Sequence, residues 1–196
     1  MACASKPVRA HGNDGGIMGR IKPPFPGRLI VSAIYSSLDA MHDAILEMEK
    51  KLGRVEIETD EMEFLHTTYY REEMGDDLRR KFFAFEKPIE RGHLPDIKIW
   101  TNKLEEKYGE KSGDFVFRRV NLDPGILTLA NLTLATTKDY AHRVYLRDGI
   151  FGEITLIFQK KKFIPLPWTY PDYAEPEIVE FFIRVRDTMR SLEVDI

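Results

Sequence analysis

Arg28 to Tyr35 reads RLIVSAIY, a short apolar run that leads straight into a helix-start pattern, and it constrains the fold more than any other stretch. A run this short and rich in Ile, Val and Tyr predicts a strand buried on both faces. Ser36 and Asp39 then form an S-x-x-D capping box. Leu38, Met41, Ile45, Met48 and Leu52 follow at helical spacing, and Gly53 supplies a C-cap. Strand followed by helix is therefore the first unit.

The pattern continues as alternating structure. Val55 to Phe64 alternates like a strand, but its apolar parity slips between Ile57 and Met62, so a bulge or strand end is expected near Asp60-Glu61. Tyr69 to Asp77 reads as a loop and Arg80 to Glu86 as the next strand. Pro95 opens a second helix with Ile97, Thr101, Leu104 and Tyr108 on one face, ended by Gly109. Asp114 to Val120 is a fourth strand. The resulting order, βαββαβ, predicts an α+β fold with a ferredoxin-like core.

The C-terminal part predicts an extension of helix, β-hairpin and helix. Leu127 to Ala135 fits both strand and helix periods poorly and stays open. Thr136 with Asp139 makes another capping box, so a helix is expected from there to Tyr145. Asp148-Gly149 is a turn signal before a strand over Ile150 to Phe158, and the Lys160 to Lys162 run leads into Phe163 to Leu166. Pro176 starts a last helix with Ile178, Phe182, Val185, Met189 and Leu192 on its buried face.

Bulk properties bound the function. A chain of 196 residues with 43% hydrophobic and 31% charged residues suits one globular domain, here 18–196, with residues 1–17 as an extension of disordered composition. The net charge of -3 argues against a non-specific nucleic-acid partner, which needs a basic surplus. The only cysteine, Cys3, precludes an internal disulfide and points to a cytoplasmic setting. No apolar run reaches the roughly 18–20 residues that span a bilayer, so no membrane partner is expected.

The polar residues of distinct chemistry concentrate between Arg118 and Tyr145. A strand sends Arg118 and Arg119 to opposite faces, so at most one enters a given pocket, whereas Asn121 and Asp123 project to the same side. Asp123-Pro124-Gly125 suits a tight turn. On the expected helix Lys138, His142 and Tyr145 share a face, and Asp139 pairs with Arg143. Together these form a wall for an anionic ligand, with His142 and Asp123 as acid/base candidates. The bland alternative is an exposed helix face and a turn-capping Asp. Trp168, Tyr170, Asp172 and Tyr173 surround Pro171 in a segment that either covers a planar ligand or seals the core, the latter being the commoner role.

Other constellations are weak. His66-Thr67-Thr68 matches the H-x-T half of a 2H phosphoesterase, but no second H-x-[TS] occurs. Glu56, Glu58, Asp60, Glu61 and Glu63 resemble metal-site material, yet alternating acids on one strand are usually a solvated face, and no metal is expected. No P-loop, G-x-G-x-x-G, G-x-S-x-G or paired C-x-x-C occurs, so the sequence names no cofactor.

The strings Asn121 to Gly125, Ala135 to Arg143 and Pro167 to Tyr173, with Tyr69-Tyr70 and Glu73-Met74-Gly75, resemble those of an uncharacterised bacterial family catalogued as a domain of unknown function. The resemblance runs from about Met18 to the C-terminal helix. It brings no assigned catalytic residues. Some members are labelled GTP-binding proteins, a function this chain would have to perform without a P-loop or an N-K-x-D string.

The expectation is a site for a small carboxylate- or phosphate-bearing ligand, built from Arg118, Arg119, Asn121, Lys138 and Arg143 and covered by Tyr170 and Asp172. The alternatives are a non-catalytic module that docks a protein or structured RNA, and GTP binding.

Overall fold

The structure, a computed structural model, describes residues 21–64, 71–113 and 115–193. In chain order the elements begin with β1 (Gly27–Tyr35), α1 (Leu38–Leu52), β2 (Val55–Glu58), β3 (Met62–Glu63), α2 (Arg71–Met74) and β4 (Arg79–Ile89). There follow α3 (Leu94–Lys107), β5 (Glu110–Ser112), β6 (Phe115–Phe117), β7 (Val120–Leu127) and β8 (Asn131–Thr136). The chain closes with β9 (Val144–Arg147), β10 (Ile150–Gln159), β11 (Lys162–Pro165) and α4 (Pro176–Glu193). The architecture is α+β, with one large antiparallel sheet in the order β11-β10-β8-β7-β1-β4-β2.

β1 is buried along its whole length because helices cover both faces of the sheet there. Its odd-numbered residues Leu29, Val31, Ala33 and Tyr35 join Met41, Ala44 and Met48 of α1 and Ile97 and Leu104 of α3 in one core. Ile30 faces the other core, where Phe82, Tyr173, Phe181 and Phe182 meet under α4. Each fully buried side chain of this size contributes about 1.5–3 kcal/mol from burial alone. The two-residue alternation of a strand thus lets one apolar run serve two cores.

The helix cap sits one residue later than expected. Ser37 is the N-cap, accepting from the Ala40 N–H at 3.3 Å, while the Ser36 N–H donates to the Arg119 carbonyl at 3.0 Å. Leu38 is accordingly exposed rather than part of the buried face. The parity slip over 55–64 appears as a break between β2 and β3, which pair in turn with β4. Of the expected loop over Tyr69–Asp77, Tyr69 and Tyr70 lie outside the described residues and Arg71–Met74 is a helical turn. The extension over residues 1–17 also lies outside them.

The larger corrections follow α3. The expected strand over Asp114–Val120 is instead the short β6, which among the described residues pairs only with β5; the strand of the main sheet is β7. Asp123-Pro124-Gly125 is therefore no turn. These residues pair with Ser32, Val31 and Ile30 of β1 in the middle of the sheet. Leu127 to Ala135, left open by its pattern, is the end of β7, a short turn and most of β8.

The expected helix over Thr136–Tyr145 is absent. Thr136 ends β8 opposite Phe151, and Val144 already pairs with β10. The Thr136 hydroxyl accepts from the Lys138 N–H at 3.2 Å, so it caps a turn, a role Ser and Thr fill as readily as helix capping. Two strand pairings with β10 leave only residues 137–143 to connect them, and β9 and β10 join through Asp148 (φ 53°) and Gly149 (φ 77°). Among the described residues no helix is long and apolar enough to cross a membrane.

Candidate functional site

The site begins where two strands part. β8 pairs with β7 only from Gly125 to Leu127, so among the described residues Val120 to Pro124 has no strand on that side. Gly125 is the point of closest approach: a Cβ there would lie 2.6 Å from Leu134 Cδ2 and 2.9 Å from the Thr133 carbonyl. Beyond it the missing ladder is supplied by α3. Glu105 accepts from the Leu122 N–H at 2.8 Å, and Lys98 donates to the Leu122 carbonyl at 2.8 Å. Backbone groups alternate sides along a strand, so Pro124 shares the side of Leu122, where its missing N–H costs no ladder bond.

The gap opens into a cavity of about 530 Å³. One side is formed by α3 and β7, the other by the end of β8 and residues 137–143, with Arg80 and Tyr173 among the floor residues. Arg118 and Arg119 do not lie on a strand as expected; Arg118 reaches in from the connection between β6 and β7. It grips Glu73 with two bonds of 2.5 and 2.6 Å and donates to Glu105 at 2.9 Å and to Asn121 Oδ1 at 2.7 Å. The Glu73 hydrogen bonds hold its guanidinium protonated well above the ordinary range.

These contacts fix Asn121 completely. Its Oδ1 accepts from Arg118, which places Nδ2 toward Asp123 Oδ2 at 2.8 Å. Lys98 stands 3.4 Å from the other Asp123 oxygen. Asn121 and Asp123 thus project to one side, as their spacing predicts. Arg119 leaves the site and pairs with Glu110 on the surface at 2.5 Å.

The far side depends on Glu153, 3% exposed. It accepts from Arg143 Nε at 2.7 Å and contacts His142 Nε2 at 3.0 Å. Arg143 also donates to the Lys138 carbonyl at 3.0 Å, which holds the loop in place and leaves Lys138 and Arg143 lining the cavity. His142 does not line it. Its ring stacks on Trp168 at 5.0 Å and 15°, and it meets the lining through Glu153 and the ring of Tyr140. The shared helical face of Lys138, His142 and Tyr145 does not exist, and Tyr145 packs on Phe151 instead.

Tyr170 lies on the cavity rim, half exposed. Asp172 does not cover a ligand. It is buried beneath the floor, ion-paired with Arg80, whose Nε donates to Ser32 Oγ at 2.9 Å. The Trp168–Tyr173 segment therefore divides its roles, with Tyr173 and Asp172 sealing the core and Tyr170 facing the cavity. His66, Thr67 and Thr68 lie outside the described residues. The acidic strand is a paired surface: Glu56 with Arg28, Glu58 with Lys81, Glu61 with Tyr35 and Arg79. Among the described residues no cluster of His, Cys, Asp and Glu is placed to hold a metal.

Sequence reasoning missed Lys98, Glu105, Arg80 and Glu153. The signals were present in weak form. Lys98 and Glu105 lie seven apart on the flank of an apolar helical stripe, and Glu153 is an acid within a strand of mostly apolar residues.

Residues 26–189 match the family model described as Domain of unknown function (DUF4416). No curated protein and no solved structure gives a significant match.

Proposed function

The chain belongs to the DUF4416 family, a domain of unknown function, and from that premise we propose that it binds a small carboxylate- or phosphate-bearing ligand between β7 and the loop 137–143. The observation that carries this reading is a concave space lined by Arg118, Lys138 and Arg143 and bounded by side chains that already hold one another in place. Lys138 and Arg143 neutralise the anion, Asn121 offers an amide whose orientation Arg118 and Asp123 fix, and Tyr170 covers the opening. Asp123 is the acid/base group that faces the ligand, while His142 positions Glu153. A cytoplasmic location rests on the lone cysteine.

Underlying the site we read a ferredoxin-like core. Its support is that β1, α1, β2, β4, α3 and β7 follow one another while their strands lie in the antiparallel order β7-β1-β4-β2.

Differential scanning fluorimetry against inorganic phosphate, phosphomonoesters and carboxylates tests the ligand reading. A ligand at about 100 times its Kd adds about 2.7 kcal/mol, roughly 5–10 °C for a domain of this size. Lys138→Glu should abolish that rise. A panel without any rise at millimolar concentration would retire the reading.

A second reading, a docking module, draws on the exposed Val144 and Tyr145 of the edge strand β9. Pull-down with Tyr145→Glu as control separates it from the first, since that variant leaves the cavity intact.

A further inference from the structure

The ligand's own charge pattern can be read from the two sides of the cavity, and the inference that follows rests on the small-ligand reading above. On the side of α3 and β7, the lining acids Glu105, Glu106 and Asp123 outnumber Lys98 and Arg118 by one, and Glu73, which pairs with Arg118, stands behind them. Across the gap, among the described lining residues, Lys138 and Arg143 stand with one carboxylate, Glu153. Asp139, the other acid of that loop, does not line the cavity. The floor is neutral, because Arg80 is matched by Asp172.

The individual partners sharpen the asymmetry. Glu105 is saturated by Leu122, Arg118 and Lys98. Glu106 is exposed, lines the cavity and makes no ion pair among the described residues. It is the carboxylate placed to receive a new cation, and Asp123 is the acceptor deeper in. The opposite side presents an ammonium and a guanidinium. Such a space has no overall basic surplus, so it disfavours a polyanion, whose several charges would meet the acids of the α3 side.

We infer that the cavity between α3 and the loop 137–143 binds a small zwitterion, a molecule with a carboxylate or phosphate at one end and a protonated amine at the other. The anion lies against Lys138 and Arg143, and the amine lies against Glu106 and Asp123. A compact space of this volume spans roughly 8–10 Å, the reach of a dipeptide or a medium-length ω-amino acid.

Isothermal titration of the full chain with alanylalanine, ω-amino acids of graded length, inorganic phosphate and GTP tests this, together with N-acetyl-alanylalanine and alanylalanine amide. At least one zwitterion should bind, and blocking either of its ends should weaken it about tenfold, the worth of one charge-assisted pair. Glu106→Gln should reproduce the loss for the free amine and leave simple carboxylates unchanged, whereas Lys138→Gln should weaken both. Equal affinity for the acetylated and free forms overturns the zwitterion while leaving the anion site standing. Tighter binding of GTP than of any zwitterion also overturns it. If neither zwitterions nor simple anions titrate, the underlying small-ligand reading falls with it.

Discussion

Replacing Asp172 by Ala isolates one buried charge. Arg80 and Asp172 have side chains only 4% and 3% exposed, so solvent does not screen their attraction. In the variant the guanidinium keeps the Ser32 hydroxyl and the aromatic faces of Phe82 and Tyr173, 4.7 and 4.8 Å from its centre, but no carboxylate. The Tyr173 N–H also loses Asp172 Oδ1 at 3.2 Å. Removing one partner of a buried ion pair costs about 3–5 kcal/mol, because the other charge stays desolvated. At about 2–4 °C per kcal/mol for a domain of this size, Tm should fall by roughly 6–20 °C. Urea denaturation measures the free energy directly. The double variant Arg80→Met/Asp172→Leu removes both charges and should recover most of the loss. A loss below about 1 kcal/mol for Asp172→Ala, or a double variant as unstable as the single one, would refute the argument that the uncompensated cation causes the damage.

Three further outcomes follow from the same geometry. Glu105→Ala leaves the Leu122 N–H without its acceptor and takes one carboxylate from both Arg118 and Lys98, and should cost about 3 kcal/mol by urea titration, with Glu105→Gln milder because it still accepts from the backbone. Gly125→Ala drives a methyl against the Thr133 carbonyl of β8, which cannot rotate away, and should cost about 1–3 kcal/mol in the same assay. Burial pushes the Tyr173 phenol up to about 12 from an ordinary 10.0. Since the folded chain retains that proton longer than the unfolded one, the associated stability is whole below pH 10, declines above it and is gone past about 12. Tyr173→Phe should flatten the urea midpoint over that window.

Much of the fold is legible in the order of residues because local pattern and burial coincide there. RLIVSAIY can only be satisfied by burial on both faces, and the stripes of α1, α3 and α4 each fit one helical period. The shared side of Asn121 and Asp123 likewise follows from strand alternation. These features depend on neighbours a few residues away.

What the sequence left undecided depends on partners far along the chain. Asp-Pro-Gly suits a turn in isolation, but the β1 ladder on one side and the α3 side chains Lys98 and Glu105 on the other hold it extended. Thr136-x-x-Asp139 suits a helix cap, yet pairing of β8 and β9 with β10 leaves no room for a helix between them. His142 was drawn out of the site by Trp168 and Glu153, and Asp172 was drawn beneath it by Arg80, contacts spanning tens of residues that no local period encodes. Short-range spacing selects the elements, whereas long-range hydrogen bonds and ion pairs decide which side chains meet, because only the folded chain brings their partners within bonding distance.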